Sequence, residues 1–157
     1  MKKILIAYTS RTGKTQSMAD YIAEGLRLGG HEVILKKISE IKDEKDLLGY
    51  DGYLFGCPTY HGDMTQGMKT FLFIVEKAKL QGKLGGAFGS HTHTGEAPGL
   101  IFSTMKNVFK MNMLDLGPFK LTEITVEQNE GCRACQQYGK AVSETIEKNR
   151  SEIKLSK

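Results

Sequence analysis

Two hydrophobic periods alternate along the chain. Ile4-Leu5-Ile6-Ala7 is a short apolar run with the look of a strand. After a polar stretch, Met18, Ala19, Ile22, Ala23 and Leu26 recur at helical spacing up to a stop at Gly29-Gly30. The same exchange repeats to the end. Strands are expected over residues 3–8, 32–38, 52–57, 84–90 and 119–126, with helices over 13–28, 43–48, 65–80, 97–113 and 130–151. The third helix shows its inner face in Met68, Phe71, Leu72 and Val75. Alternation of this kind implies right-handed crossovers and a parallel sheet between helix layers. The expected fold class is α/β, a three-layer doubly wound sandwich whose five-stranded parallel sheet runs in the order 2-1-3-4-5. Its ligand crevice lies at the carboxyl ends of strands one and three, where the order switches. Loops 9–15, 58–63 and 90–95 all follow strands and so meet at that edge. No repeat or linker interrupts the pattern, so residues 1–157 are expected to form a single domain.

Composition removes several classes. The chain has 157 residues, 39% hydrophobic and 25% charged, the proportions of a folded rather than a disordered protein. No apolar run approaches the ~20 residues of a membrane span. The first seven residues imitate a signal peptide, but the apolar part ends at Tyr8-Thr9-Ser10-Arg11, short of the ~7–15 residues a signal core needs. The expected location is therefore cytoplasmic, and three cysteines there argue against a disulfide framework. The formal charge is +4, from Lys and Arg that are spread out without aromatic interleaving. That describes a solvated Lys/Glu surface better than a nucleic-acid face. Neither nucleic acid nor a membrane is an expected partner.

The segment Tyr8-Thr9-Ser10-Arg11-Thr12-Gly13-Lys14-Thr15 turns a strand into a helix through hydroxyls and a glycine, which makes an anion site. Gly13-Lys14-Thr15 imitates the tail of an ATPase phosphate loop, but that motif needs glycine where Tyr8 stands. The dinucleotide fingerprint G-x-G-x-x-G does not occur. What remains is a hydroxyl-rich loop for one phosphate without a metal, a description that fits a mononucleotide such as FMN. Tyr8-x-Ser10-x-x-Gly13-x-Thr15-x-x-x-Ala19 resembles the phosphate-loop signature of the flavodoxins. A second block, Phe55-Gly56-Cys57-Pro58-Thr59-Tyr60-His61-Gly62-Asp63-Met64, resembles the flavin-edge loop of that superfamily. Its continuation through Leu72 is similar to NAD(P)H:quinone oxidoreductases of the tryptophan-repressor-binding-protein type. A third block, Gly86-Ala87-Phe88-Gly89-Ser90-His91-Thr92-His93-Thr94-Gly95-Glu96-Ala97, resembles the second flavin loop of the flavodoxin domains in flavodiiron proteins. The three blocks stand in the family's order and cover essentially the whole chain.

The resemblance implies a flavodoxin-like fold and non-covalent FMN. Ser10, Thr12 and Thr15 would offer hydroxyls to the phosphate, and Gly13 a close backbone approach. Arg11 and Lys14 either face solvent or add charge-assisted contacts. The structural alternative for this loop is a helix N-cap made by Thr12. Pro58 and Thr59 lead to Tyr60, in the position where the family sets an aromatic ring against the isoalloxazine. The His61-Gly62 peptide is the candidate for the backbone flip with which flavodoxins meet the proton on reduced flavin N5, because glycine supplies φ freedom. Asp63 is equally a candidate N-cap for the next helix. Ser90, His91, Thr92, His93, Thr94 and Gly95 form the third loop, where histidines replace the aromatic residues of flavodiiron-type domains. An imidazole beside the flavin competes there with two exposed loop histidines. No partner with recognisable spacing supports a metal site. Cys132 and Cys135 open the last helix as C-x-x-C, but they share a stripe with Val142 and Ile146, so core cysteines are expected. Cys57 is expected as a small apolar residue ending strand three.

The positive charge departs from the family, whose members are generally acidic. No general base or nucleophile is apparent. The reading is an electron carrier exchanging single electrons with redox partner proteins, a reductase and an acceptor, as a monomer or weak dimer. An FMN-dependent NAD(P)H:quinone oxidoreductase is the alternative, and an FMN-binding regulatory module is a third class.

Overall fold

A computed structural model describes residues 1–155. The elements are β1 (Lys3–Tyr8), α1 (Lys14–Leu28), β2 (Glu32–Lys37), β3 (Gly52–Gly56), α2 (Gln66–Lys77), β4 (Leu84–His91), α3 (Glu96–Asn107), β5 (Asn112–Met113), β6 (Phe119–Thr122), α4 (Glu123–Val126) and α5 (Asn129–Leu155). The sheet is parallel throughout, in the order β2-β1-β3-β4 followed by a fifth position. Two short pieces share that position. β5 pairs with Leu84 and Gly85 of β4, and β6 pairs with Phe88 to His91. The order 2-1-3-4-5 therefore holds, with a divided last strand.

Side-chain alternation along the strands builds two cores. Ile4, Ile6, Tyr8, Leu54 and Phe88 pack with α1 and α5, while Leu5, Ala7, Tyr53, Phe55 and Ala87 pack with α2 and α3. Burial on both faces is what a parallel sheet requires. The helical stripes fall where their spacing put them: Met18, Ala19, Ile22, Ala23 and Leu26 are fully buried, and Met68, Phe71, Leu72 and Val75 are buried. The α1 stop is glycine chemistry. Gly29 N–H returns to the Leu26 carbonyl at 3.1 Å, and Gly30, with φ +87°, returns to Arg27 at 3.0 Å.

Several boundaries differ from the periodicity. The strand expected over 119–126 ends at Thr122, whose hydroxyl accepts from Thr125 N–H at 3.2 Å and starts α4. The helix expected over 97–113 ends at Asn107. Met111 N–H closes onto the Met105 carbonyl, Lys110 takes φ +55°, and the chain joins the sheet as β5. The helix expected over 43–48 is one 3₁₀ turn, Glu44–Leu47, capped by the Asp43 carboxylate on Lys45 N–H. A second 3₁₀ turn, Ile38–Glu40, follows β2, which ends one residue early. α2 stops at Lys77, two residues before Lys79 turns left-handed at φ +55°.

Candidate functional site

Level strand ends bring the three loops together. Tyr8 pairs with Gly56 and Gly56 with Phe88 across the sheet. Thr9 N–H donates to the Gly56 carbonyl at 3.0 Å, Cys57 N–H to Phe88 at 3.0 Å, and Thr59 N–H to Ser90 at 3.1 Å. The backbone of each loop thus hangs on its neighbour, at the edge where doubly wound sheets bind ligands.

The first loop ends in an open helix N-terminus. Gly13, not Thr12, is the N-cap of α1, with φ +87°, and it offers no side-chain acceptor. The first turn of α1 contains no acidic residue. Ser10 Oγ accepts from Gly13 N–H at 3.2 Å and from Gln16 N–H at 3.3 Å. Lys14 and Thr15 N–H, in the first turn, have no intrahelical acceptor by construction. An anion on this terminus meets both the free donors and the positive end of the helix dipole.

The remaining hydroxyls and the cations of the loop find partners elsewhere. Thr12 Oγ1 donates to Glu123 Oε1 at 3.0 Å, and Lys14 Nζ pairs with Glu127 Oε1 at 2.6 Å, so the loop is held by the first residue of α4 and by the residue just past its end. Thr15 is buried and shares a 2.8 Å hydrogen bond with Ser90 Oγ, joining the first loop to β4. Arg11 does not face the loop; its guanidinium lies over the Tyr60 ring, 4.8 Å from the centroid. A polar cleft of about 190 Å³ opens beside the loop, between Ser10 and Gln16 on one side and Lys37 and Ser39 after β2 on the other.

In the second loop Pro58 and Thr59 are buried, and Thr59 Oγ1 accepts from Ala97 N–H at 2.9 Å, fastening this loop to the start of α3. Tyr60 is half-buried. Burial pushes its phenol pKa up, Glu123 adds to the rise, and Arg11 opposes it. Tyr60 and Asp63 exchange both backbone hydrogen bonds, at 2.9 and 3.0 Å. Between them His61 (φ +53°) and Gly62 (φ +72°) are both left-handed and exposed, the signature of a type I′ turn. Gly62 takes this conformation freely, whereas His61 carries strain. Asp63 does not cap α2. Thr65 does, accepting from Met68 N–H at 3.2 Å, while Asp63 pairs with Lys69 at 2.6 Å, which holds its carboxyl below the usual range. Cys57, fully buried, has its thiol pKa raised by desolvation.

The third loop divides its histidines. His91, the last residue of β4, is half-buried; a Cβ on Gly95 would meet its ring at 2.8 Å, and its Nδ1 is buried without a hydrogen-bond partner. Thr92, His93 and Thr94 are exposed, and Gly95 precedes α3. Thr94 hydrogen-bonds the Glu96 carboxylate and lowers its pKa. Among the described residues no group of three or more His, Cys, Asp and Glu is arranged to hold a metal. Cys135 is buried and its thiol is pushed up to about 12 by desolvation, whereas Cys132 is only half-buried. Sequence reasoning missed Glu123 and Glu127, which lie more than a hundred residues from the loop they hold. No local motif marks them.

The sheet order, the crevice at its switch point and the open helix N-terminus define a doubly wound α/β protein of the flavodoxin-like order 2-1-3-4-5. The chain belongs to the flavodoxin family, whose model, described as Flavodoxin, matches residues 6–138. It is 36% identical over 88 residues to a flavodoxin of Clostridium saccharobutylicum, a match covering 56% of this chain and 55% of that one. It is 27% identical, over 94% of its own length and 99% of the relative's, to an NAD(P)H dehydrogenase (quinone) of Archaeoglobus fulgidus. An archaeal flavodoxin structure superposes with a TM-score of 0.84 at 25% identity, over 92% of this chain and 99% of that one. Members of the family bind flavin, generally FMN, and pass electrons to redox partners. No helix among the described residues is long and apolar enough to cross a membrane.

Proposed function

We propose that this chain is a one-electron carrier that holds FMN non-covalently at the three-loop crevice. The observation that carries the reading is the α1 N-terminus: first-turn N–H groups without acceptors and no acidic residue, opening at the switch point of the sheet. Donors of this kind suit a phosphate without a metal, so the residues present fit the cofactor. Bound there, FMN supplies the redox chemistry. The chain's own part is binding and control. Lys14 and Thr15 N–H would take phosphate oxygens, and the Thr15 hydroxyl can turn from Ser90 towards them. Tyr60 offers one ring face, its other face being covered by Arg11. The His61-Gly62 peptide, in a turn that already stores strain, would turn its carbonyl to accept a hydrogen bond from a ring N–H. The orphaned Nδ1 of His91 and the exposed imidazole of His93 would stand near the same edge.

The test is a titration of apoprotein with FMN, riboflavin and inorganic phosphate. FMN is expected to bind at least ~100-fold tighter than riboflavin, about 2.7 kcal/mol, which two charge-assisted hydrogen bonds can supply. Phosphate should compete with FMN and not with riboflavin. Equal affinity for the two flavins, or release of FAD on denaturation, would sink the reading. A second reading, an NAD(P)H:quinone oxidoreductase, is favoured by the Archaeoglobus fulgidus relative that spans nearly the whole chain. Rapid mixing with NADH or NADPH separates them, since a carrier is reduced slowly without a reductase.

A further inference from the structure

The layer of helices opposite α1 and α5 carries a patch that the crevice does not use. Phe73, in the middle of α2, is 70% exposed, and Val108, just beyond α3, is 58% exposed. Between them opens a cleft of about 280 Å³, floored by Leu72 and Phe109 and rimmed by Lys69 and Glu76. A lone exposed apolar side chain needs no explanation, but an aromatic ring beside an open apolar cleft is a contiguous sticky surface.

The charges around the patch say what covers it. Lys69, Phe73 and Glu76 lie on one stripe of α2, with the ring between a cation and an anion. Seven residues separate the charges, roughly 10.5 Å along the helix. A second copy of α2 laid antiparallel about a two-fold axis near Phe73 sets each Lys69 opposite the other copy's Glu76. Each Phe73 ring then faces the other copy's cleft. A parallel arrangement would oppose like charges and lose this match. Self-complementarity is the requirement for an isologous interface. Lys69 does not have to leave Asp63 to take part, because an ammonium has three donors.

We propose that α2 and the end of α3 form the interface of a weak two-fold dimer of this chain. The size argues for weak association. A 12-residue helix is about 18 Å long, and a neighbour packed 8–10 Å away gives a footprint on the order of 400 Å² per copy. That is about half of the ~800 Å² per partner of a stable standard complex. The cleft lining includes no residue of the three loops; it comes nearest to them at Met64, which directly follows the second.

Sedimentation equilibrium of the intact chain tests the interface. The wild type is expected to pass from monomer towards dimer with a Kd on the order of 10–100 µM. Phe73→Asp should stay monomeric, as should Lys69→Glu and Glu76→Lys separately, since each charge variant opposes like charges across the axis. An equal mixture of the two charge variants should associate again, because every facing pair is then complementary. Retained thermal melts show that each variant is folded. A wild type that stays monomeric throughout, a Phe73→Asp variant that still dimerises, or a mixture that fails to associate each overturns the proposal.

Discussion

Alanine at Gly25 or Gly139 is expected to force helices α1 and α5 apart, at a cost that follows from how closely they cross. A Cβ on Gly139 would press into the Ile22 carbonyl oxygen and lie 3.0 Å from the Leu26 nitrogen. One on Gly25 would press into the Gln136 carbonyl oxygen and lie 3.0 Å from the Lys140 nitrogen. Optimal carbon contacts are roughly 3.5–4.0 Å, and every atom in the way is backbone, so no side chain can swing aside. Two effects oppose each other. Alanine in a helix interior is favoured over glycine by about 0.8–1.0 kcal/mol, while overpacking costs about 1–3 kcal/mol. With backbone against backbone the upper half of that range applies, leaving a net loss of about 1–2 kcal/mol for each variant. In urea the midpoint should fall by roughly 0.5–1 M, for a slope of about 2 kcal/mol per M. The two clashes are relieved by one movement, because the Gly25 Cα lies 3.1 Å from the Cβ position on Gly139. The double variant should therefore lose less than the sum, with a coupling of about 0.5 kcal/mol or more. All four proteins are compared at the same flavin saturation, since bound ligand adds its own stabilisation. Additive losses, or a single variant more stable than the wild type, would refute the close crossing.

Three further outcomes are expected. His31 is buried, accepts Lys2 N–H on Nδ1 at 3.2 Å and shares a 3.0 Å bond with Ser143, and burial lowers its pKa despite the opposing pull of Glu147. The unfolded state therefore takes up a proton first as pH falls below about 6.5, so stability should be flat above that value and decline below it. His31→Phe should be less stable but lack that part of the slope in urea titrations between pH 8 and 5, and an unchanged slope would show another group at work. Arg11→Gln should make addition of the second electron less favourable by up to about 1 kcal/mol, the scale of an exposed charge; no change in a reductive titration would mean that Arg11 only packs on Tyr60. Iodoacetamide should label Cys132 in the folded protein and reach Cys57 and Cys135 only on unfolding, read by mass spectrometry, because those two thiols are buried with raised pKa values.

How much of this was legible depended on the range of the interactions involved. The stripes of α1 and α2 could be read directly, since Met18, Ile22 and Leu26, or Met68, Phe71 and Val75, repeat within a few residues. Alternation implied a parallel sheet between helix layers, and the doubly wound order expected for five such strands carries the three loops to one edge. The last strand could not be read. Phe119 to Thr122 alternates half-buried and exposed positions, and its end depends on the Thr122 hydroxyl turning inward as a cap. β5 is two residues held to β4, too short for any period. Within the crevice, the residue types of the first loop were informative, but their partners were not. Arg11 finds Tyr60, Lys14 finds Glu127 and Thr12 finds Glu123 only after folding.

Those same long-range contacts change what the net charge means. A formal charge of +4 invites the picture of a cationic rim around the crevice. The structure neutralises two of the cations near it in ion pairs instead, Lys14 with Glu127 and Lys69 with Asp63, while Glu123, bonded by the neutral Thr12 hydroxyl, keeps its negative charge. Each ion pair is short, so its far field is that of a dipole and falls off within a Debye length of roughly 8–10 Å. A protein approaching the crevice would then meet exposed groups such as Arg11 rather than a uniform patch. Orientation at close range, more than long-range steering, would decide which partners couple to the site.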